Sequence, residues 1–218
     1  MEGRASLEMI EVRWLGRLAF DEALRLQLDA REALIAERGP PTLFLVEHPA
    51  VVTVGRRGRR DDVLWTDDEL AAIGMTVADT PRGGELTLHA PGQLVAYPVV
   101  HVGRRIRGHL HDLAGATIDL LEELGVRGAE FRIEHPGVWI GDAKIASIGI
   151  HISRGVAVQG LSMNLDVDPR LFAALVSCGM RDVRMVSVRD FGVATPSVAD
   201  AAPRWADHYA RRAGFSPG

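Results

Sequence analysis

GVWIGDAKIASIGIHISRGVAVQGLSMN, residues 137–164, is the stretch of sequence that decides the fold. Short apolar and β-branched runs recur through it, which predicts successive strands over residues 137–140, 144–152 and 156–164. No helical pattern lies between these strands. Because a strict alternation of strands and helices is absent, the pattern favours an α+β fold in which mixed β-sheets are flanked by helices.

The rest of the chain continues this mixed order. The clearest helix covers residues 106–125, where one apolar stripe at helical spacing ends at Gly125. Further helices are predicted at residues 19–38, 67–73, 168–176 and 195–213, the last with Pro203 marking its first turn or a break. Further strands are predicted at residues 9–14 (an edge strand), 42–46, 51–54, 75–79, 86–88, 94–100 and 131–134.

Length and composition limit the class of protein. A chain of 218 residues with 47% hydrophobic and 25% charged residues fits a single domain over residues 1–218. The net charge of −4 excludes a globally basic nucleic-acid binder. The first residues carry no signal-peptide pattern, and no run approaches the roughly 20 apolar residues of a membrane span. We therefore expect a cytoplasmic protein that binds neither nucleic acid nor membrane.

Two residue types occur only once. Among the 25 lysine and arginine residues only Lys144 is a lysine, and Cys178 is the only cysteine. A lysine amine can exchange a proton near neutral pH, whereas arginine stays charged, and a thiolate is a strong nucleophile. The pair can therefore attack an acyl carbon and move a proton. Against this, a lysine at a strand end usually points to water, and a lone cysteine is more often a buried structural thiol.

A glycine-rich segment, RGGELTLHAPGQ at residues 82–93, is the second candidate for chemistry. Its three glycines leave main-chain groups uncovered, so a ligand can approach the backbone closely. The alternative is a tight hairpin with ordinary turn glycines. The segment matches neither a phosphate-binding Walker loop nor the dinucleotide-binding glycine fingerprint.

Histidines and arginine runs give weaker signals. His109 and His111 are two residues apart on a helix and do not share a face, so we predict no metal site. His48, His89 and His151 are each interpreted singly as hydrogen-bonding residues. The arginine runs at residues 56–60 and 104–107 are usually solvated, but they can also dock an acidic partner.

Five ordered segments between Val46 and Arg181 together resemble the octanoyltransferases of lipoate biosynthesis, in the biotin/lipoate protein ligase fold group. These segments are EHP (47–49) with TVGR (53–56), RGGELTLHAPGQLVAYP (82–98), GVWIGDAKIASIGIHISRGV (137–156), Gly160 with Asn164, and Cys178-Gly179.

The resemblance implies a catalytic mechanism, partners and a substrate site. It makes Cys178 the nucleophile that forms an acyl thioester, and Lys144 the residue that lowers the thiol pKa and shuttles protons. It implies octanoyl-acyl carrier protein as donor, lipoyl domains of 2-oxoacid dehydrogenase complexes and glycine cleavage H protein as acceptors, and no cofactor or metal. The residues expected to bind the acyl substrate are Arg82, Gly83, Gly84, Glu85, Leu86, Thr87, Leu88, His89, Ser147, Ile148, Gly149, Gly160, Leu161 and Ser162.

The chain departs from the family pattern at Leu88, Ala90, Gln159 and Ser177. Three alternatives stay open at this point. An ATP-dependent lipoate or biotin ligase keeps an equivalent lysine but needs no nucleophilic cysteine, and a thioester hydrolase needs no acceptor protein. The third alternative is a non-catalytic module that binds acyl carriers or lipoyl domains, with an inert buried Cys178.

Overall fold

The computed structural model describes residues 8–175 and 183–217. This part of the chain forms four α-helices and twelve strands in irregular alternation, which confirms the predicted α+β fold with mixed sheets. The helices are α1 (Phe20–Ile35), α2 (Asp67–Ala72), α3 (Ile106–Glu123) and α4 (Val198–Ala213). The strands are β1 (Glu8–Arg17), β2 (Thr42–Glu47), β3 (Val51–Val54), β4 (Thr76–Asp79), β5 (Leu86–His89), β6 (Gln93–His101), β7 (Ala129–Arg132), β8 (Gly137–Ile140), β9 (Ala143–Ser153), β10 (Val156–Asn164), β11 (Arg184–Met185) and β12 (Phe215–Pro217).

A large mixed sheet runs in the order β12-β1-β2-β6-β10-β9-β8-β7. The pairs β12–β1 and β1–β2 are parallel, and the pairs from β2 to β7 are antiparallel. The short strand β11 adds a parallel pairing at the start of β9. The stretch 137–164 therefore supplies three adjacent antiparallel strands of this sheet. The expectation that residues 9–14 form an edge strand is wrong, because β12 pairs with β1 on its outer side.

Both faces of the large sheet are covered, and the apolar residues of its central strands alternate between them. Successive side chains of a strand point to opposite faces, so β2 and β6 contribute to two different cores. Helices α3 and α4 cover one face, with core side chains Leu43, Leu45, Leu94, Ala96, Leu113, Leu120 and Trp205. Helix α1 covers the other, with core side chains Ala23, Leu34, Phe44, Val46, Val95, Tyr97 and Val99.

A small sheet of order β4-β3-β5 has its own core, which includes Val52, Leu86 and Leu88. Strands β5 and β6 follow each other in sequence but belong to different sheets, so the hairpin interpretation of residues 82–93 is wrong. Instead the chain crosses from the small sheet to the large one at Ala90-Pro91-Gly92. The amide of Gln93 donates to the carbonyl of Ala90 and closes this turn.

Two predicted helices differ from the observed ones. Residues 168–176 were expected to be a helix, and Pro169–Ala174 forms a tighter 3-10 helix in which Leu171 N donates to Asp168 O three residues back. Pro203 lies inside α4 rather than at its first turn. The helix continues past Pro203 because Trp205 and Tyr209 are completely buried on its inner face. Strand β7 begins at Ala129, two residues before the predicted run at 131–134.

His48 joins three elements at the turn between β2 and β3. Its Nδ1 lies 2.7 Å from the carbonyl oxygen of Leu18, just before α1, and its Nε2 lies 2.9 Å from the hydroxyl of Tyr97 on β6. A carbonyl accepts only, so Nδ1 carries the proton and Nε2 accepts from the tyrosine. Burial lowers the pKa of His48 from 6.5 to about 4. The interpretation of His48 as a hydrogen-bonding residue is confirmed.

We expect acid to destabilise the fold through His48. Between pH 6.5 and 4 the unfolded chain binds a proton at this residue that the folded chain excludes, so the free energy of unfolding falls as pH falls. The loss from this group is on the order of 3 kcal/mol once pH reaches 4. Urea unfolding measured from pH 7 to pH 4 should show a shallower pH dependence in His48→Gln than in the wild type. The matched control is His101→Gln, at an exposed histidine, and equal slopes in the two variants would contradict the assignment.

Candidate functional site

A cavity of about 330 Å³ lies between the small sheet and the large one, with Lys144 in its wall. The glycine-rich segment before β5 borders it from the small sheet, and β9 borders it from the large sheet. The loop between β7 and β8 completes the lining with Glu134, His135 and Pro136. Lys144, Arg57 and Arg82 give this cavity three basic side chains against the two acids Glu85 and Glu134.

Lys144 is only 1% exposed, so the expectation that a lysine at this strand end points to water is wrong. Its Nζ lies 5.3 Å from the ring centroid of Trp139 on the neighbouring strand, within range of a cation–π interaction. The pairing of β8 with β9 shifts register between Val138 and Trp139. Gly137 makes room for the lysine, because a Cβ at this position would overlap its Cε. Strand β8 therefore shapes the lysine site.

Arg82 fixes the glycine-rich segment against the small sheet. Its guanidinium donates 2.8 Å hydrogen bonds to the carbonyl and the hydroxyl of Thr53 on β3, and it is 5% exposed. Main-chain bonds join Arg56 N to Arg82 O and Gly83 N to Ile150 O, at 3.1 and 3.0 Å. The segment is therefore attached to the 55–58 loop on one side and to β9 on the other.

A series of buried hydrogen bonds connects β5 with the end of β11. His89 Nδ1 lies 2.8 Å from Gln93 Oε1, and Gln93 Nε2 donates to Asn164 Oδ1 at 2.9 Å. Asn164 Nδ2 then donates to the carbonyl of Val186, whose own amide donates to the carbonyl of Lys144. Burial lowers the pKa of His89 well below its usual range, so the ring is neutral near pH 7. The hydrogen-bonding interpretation of His89 is confirmed.

All fourteen predicted substrate residues line one of three cavities, and Lys144 borders the main one. Thr87 and Ser147 border the main cavity and two smaller inner cavities of about 20 and 10 Å³, so the three spaces adjoin. The main cavity is lined by Arg82, Gly83, Gly84, Glu85, Leu86, Thr87, Ser147 and Ile148. The inner cavities add Leu88, His89, Gly149, Gly160, Leu161 and Ser162.

Cys178 lies outside the described residues, but both flanks of its segment are fixed, one at the small sheet and one beside Lys144. Leu175 forms a β-bridge with Val63 on the N-terminal side. On the C-terminal side, Arg184 and Met185 of β11 pair with Ala143 and Lys144. Residues 176–182 therefore connect to a strand that runs beside the lysine.

A wider groove of about 530 Å³ opens beside the lysine cavity. Its apolar wall includes Ile106, Leu110 and Ile150, and its basic rim consists of the exposed residues Arg56 and Arg57. The two spaces share Arg57, Gly83, Gly84, Pro136 and Ile148.

The sequence analysis missed several residues that line these cavities. Tyr97 and Gln159 border one inner cavity, and Phe172 and Met185 border the other. Arg57 was assigned to a solvated run, although it lies at both the main cavity and the groove. Two of them carried a signal: Gln159 is a departure from the family pattern, and Tyr97 lies in the segment 82–98 that resembles the family.

Two further properties concern the described residues alone. Across residues 8–175 and 183–217, no group of three or more histidine, cysteine, aspartate or glutamate side chains is arranged to hold a metal ion. In the same part of the chain, no helix has the length and apolar character that a membrane crossing requires.

The chain is similar in sequence to one protein family and to octanoyltransferases from several organisms. The family model of the lipoyl protein ligase A/B catalytic domain matches residues 18–210. An octanoyltransferase of Maridesulfovibrio salexigens is 36% identical over 177 residues, covering 80% of this chain and 82% of the relative. An octanoyltransferase of Solibacter usitatus is 36% identical over 207 residues, covering 92% of this chain and 91% of the relative.

Solved structures share the fold at lower identity. A bipartite lipoate protein ligase of Thermoplasma acidophilum, studied with its E2 lipoyl domain, aligns with a TM-score of 0.77 at 18% identity over 97% of this chain and 86% of its own. Lipoate-protein ligase A bound with ATP aligns with a TM-score of 0.74 at 17% identity, over 97% and 88%. The sequence relatives and the matched family model establish that this chain belongs to the lipoyl protein ligase A/B catalytic domain family and is an acyltransferase within it.

Proposed function

We propose that this enzyme transfers an octanoyl group from octanoyl-acyl carrier protein, through a thioester on Cys178, to a lysine of an acceptor protein. The acceptors are lipoyl domains of 2-oxoacid dehydrogenase complexes and the glycine cleavage H protein, and the reaction takes place in the cytoplasm. The observation that carries the proposal is the burial of Lys144 in a cavity whose wall is the glycine-rich segment. The octanoyltransferase relatives support the acyl group and the reaction.

The chemistry takes two balanced steps. The Cys178 thiolate attacks the carbonyl carbon of the donor thioester, the carbon–sulfur bond to the carrier breaks, and the carrier sulfur takes a proton from Lys144. The acceptor amine then attacks the Cys178 thioester, an amide forms, and the Cys178 sulfur leaves while Lys144 receives the amine proton. The first step exchanges one thioester for another, and the second replaces a thioester by a more stable amide. Neither step consumes ATP.

The burial of Lys144 makes its effect on a nearby thiolate large. At about 4 Å and an effective dielectric of about 20, the attraction between the two charges is on the order of 4 kcal/mol before desolvation is subtracted. Water screens little of this attraction because the lysine is 1% exposed. An arginine would supply a similar charge but no proton acceptor.

The groove beside the lysine cavity is suited to the donor. Carrier proteins that present acyl thioesters are acidic, and the groove has arginines on its rim. Arg56, Arg57, Arg59 and Arg60 are all exposed in the 55–60 loop, and Arg59 forms a 2.9 Å salt bridge with Asp61. Arg59 and Arg60 line none of the site's cavities, whereas Arg56 and Arg57 border the groove. We therefore assign Arg59 and Arg60 to the encounter with the carrier protein, and Arg56 and Arg57 to the wall of the site.

We expect Cys178 to carry the acyl group during turnover. Incubation with octanoyl-acyl carrier protein, without acceptor and without nucleotide, should add one octanoyl mass to the intact protein, and hydroxylamine should remove it. Cys178→Ser, which removes the thiol, is the control and should stay unmodified. Transfer to a lipoyl domain by an enzyme that never becomes acylated would contradict covalent catalysis, and a strict need for ATP would favour the ligase alternative.

We expect Lys144→Arg to transfer octanoate at least about 100-fold more slowly than the wild type, because the loss of a general acid or base typically has this size. The second half-reaction should lose more than the first, since only it needs a proton acceptor. Single-turnover assays of each half-reaction measure the difference. Lys144→Met tests the charge alone, through the rate of Cys178 alkylation near neutral pH. Near wild-type transfer by Lys144→Arg would leave the lysine with an electrostatic role only.

We expect Arg59→Ser/Arg60→Ser to raise the apparent KM for octanoyl-acyl carrier protein several-fold and to flatten its salt dependence. Long-range attraction of this kind is screened over about 8 Å at physiological ionic strength. Turnover of a small octanoyl thioester should not change. The matched control is Arg38→Ser/Arg211→Ser, which removes two exposed arginines from the end of α1 and from α4. Equal losses with both donors would show that the loop shapes the active site instead of docking the carrier.

A further inference from the structure

From the lysine cavity, an acyl chain can extend from the reacting carbonyl toward a smaller cavity that shares lining residues with it. If the carbonyl reacts beside Lys144, the chain points away from it, and the lysine cavity continues inward past Thr87 and Ser147. The inner cavity there is small, about 20 Å³, and its far wall includes His89, Tyr97 and Gln159. These residues lie between the two sheets, under α1. This argument rests on the proposed function.

Gln159 occupies this wall in an unusual backbone conformation. It lies on the central strand β10 with φ of 64°, in the left-handed region that non-glycine residues rarely adopt. Ala157 pairs with Val100 and Leu161 with Ala96, so the register places Pro98 opposite Gln159. Proline lacks the N–H that a regular ladder needs, so β10 is free to deviate at this point. Gly160 permits the close approach, because a Cβ there would overlap the carbonyl of Ala96.

A second glutamine holds Gln159 in this conformation. The amide N–H of Gln159 donates to Gln27 Oε1 at 2.8 Å, and Gln27 Nε2 donates to the carbonyl of Ala23 at 3.1 Å. Gln27 is completely buried on α1. The strained residue is therefore held from the helix side as well as by its pairing with Ile150 on β9. Backbone strain of this kind is concentrated at functional sites, where surrounding contacts maintain it.

Gln159 borders this cavity and carries a buried side-chain donor without a partner in the described part of the chain. Gln159 is 2% exposed, and its Nε2 has no hydrogen-bond partner among the described residues. A buried donor without a partner is destabilising, and an apolar chain that reaches it keeps water away without supplying an acceptor. His89 and Tyr97, which border the same cavity, both have partners.

We propose that Gln159 determines acyl-chain specificity, by limiting an unsubstituted chain to medium length and by favouring a chain that carries a hydrogen-bond acceptor near its end. Its Nε2 is the donor that such an acceptor engages. A saturated chain long enough to cover this amide binds less well than a shorter one. The limit comes from polarity at the end of the cavity as well as from its volume.

The test compares acyl thioesters of a small thiol as donors, with a lipoyl domain as acceptor. Hexanoyl, octanoyl, decanoyl and 9-oxodecanoyl donors are assayed with the wild type and with Gln159→Met, which keeps the side-chain length and removes the donor. The ratio of kcat/KM for decanoyl to that for octanoyl should rise about tenfold in Gln159→Met, the size expected for one unsatisfied buried polar group. The wild type should prefer 9-oxodecanoyl to decanoyl, and the variant should reverse that preference.

Ile106→Ser is the control for the alternative in which the acyl chain lies in the apolar groove. Ile106 borders the apolar groove and is 43% exposed, so this variant should leave the length ratio unchanged if the chain extends inward. A length profile that shifts in Ile106→Ser but not in Gln159→Met would overturn the inference. If Gln159→Met does not fold, the wild-type comparison of 9-oxodecanoyl with decanoyl still decides, and no preference for the ketone overturns it. Failure of the wild type to transfer any acyl thioester would overturn the proposed function as well.

Discussion

The burial of one lysine is the constraint on which the rest of the site depends. An ammonium group taken out of water loses several kcal/mol of hydration, which neighbouring groups must replace. At Lys144 the replacement includes the face of Trp139, 5.3 Å away, and the shift of register between β8 and β9 that brings this ring alongside. Gly137 follows from the same need, because any side chain there would occupy the space of the lysine. Burial alone would favour an apolar side chain here, so the buried lysine is consistent with the proposed role on a reacting group.

Lys144 borders a cavity because two separate sheets meet in front of it. Strand β9 belongs to the large sheet, and the glycine-rich segment leads into the small one. Specific hydrogen bonds are needed to hold the two sheets in a fixed relation. Arg82 and the amide of Gly83 supply them, through Thr53 and Ile150. The hydrogen bonds from His89 to Val186 fix a third side of the cavity, where β11 runs beside Lys144. The side-chain bonds of Arg82, His89 and Asn164 are buried, and buried hydrogen bonds of this kind resist deformation.

The sequence alone predicted the mixed α+β fold, most of the elements and the residues that gather around Lys144. Periodicity was sufficient for α3 and for the strands of residues 137–164, because each buries a regular apolar pattern. It failed where the decisive contact is distant in the chain. A hairpin was one of two interpretations of residues 82–93 because the glycines suit a tight turn, yet the strands that flank Ala90-Pro91-Gly92 belong to different sheets. The burial of Lys144 also escaped prediction, because a strand end gives no indication of the ring and the glycine that surround it.

The buried polar side chains of this fold differ in whether they have a protein partner among the described residues, and those without one also occur away from the site, at His109 and Tyr209. His48, His89, Gln93 and Asn164 are buried with protein partners, so they are explained by the stability of the fold. The donor at Gln159 is equally buried but lacks a partner within the described chain, and it lies where Pro98 interrupts the ladder. A proline inside a central strand costs stability, as does left-handed backbone opposite it. The proline and the left-handed backbone therefore lie at one point, beside the cavity that adjoins the lysine cavity. The proposed contact between the Gln159 amide and the acyl chain accounts for both.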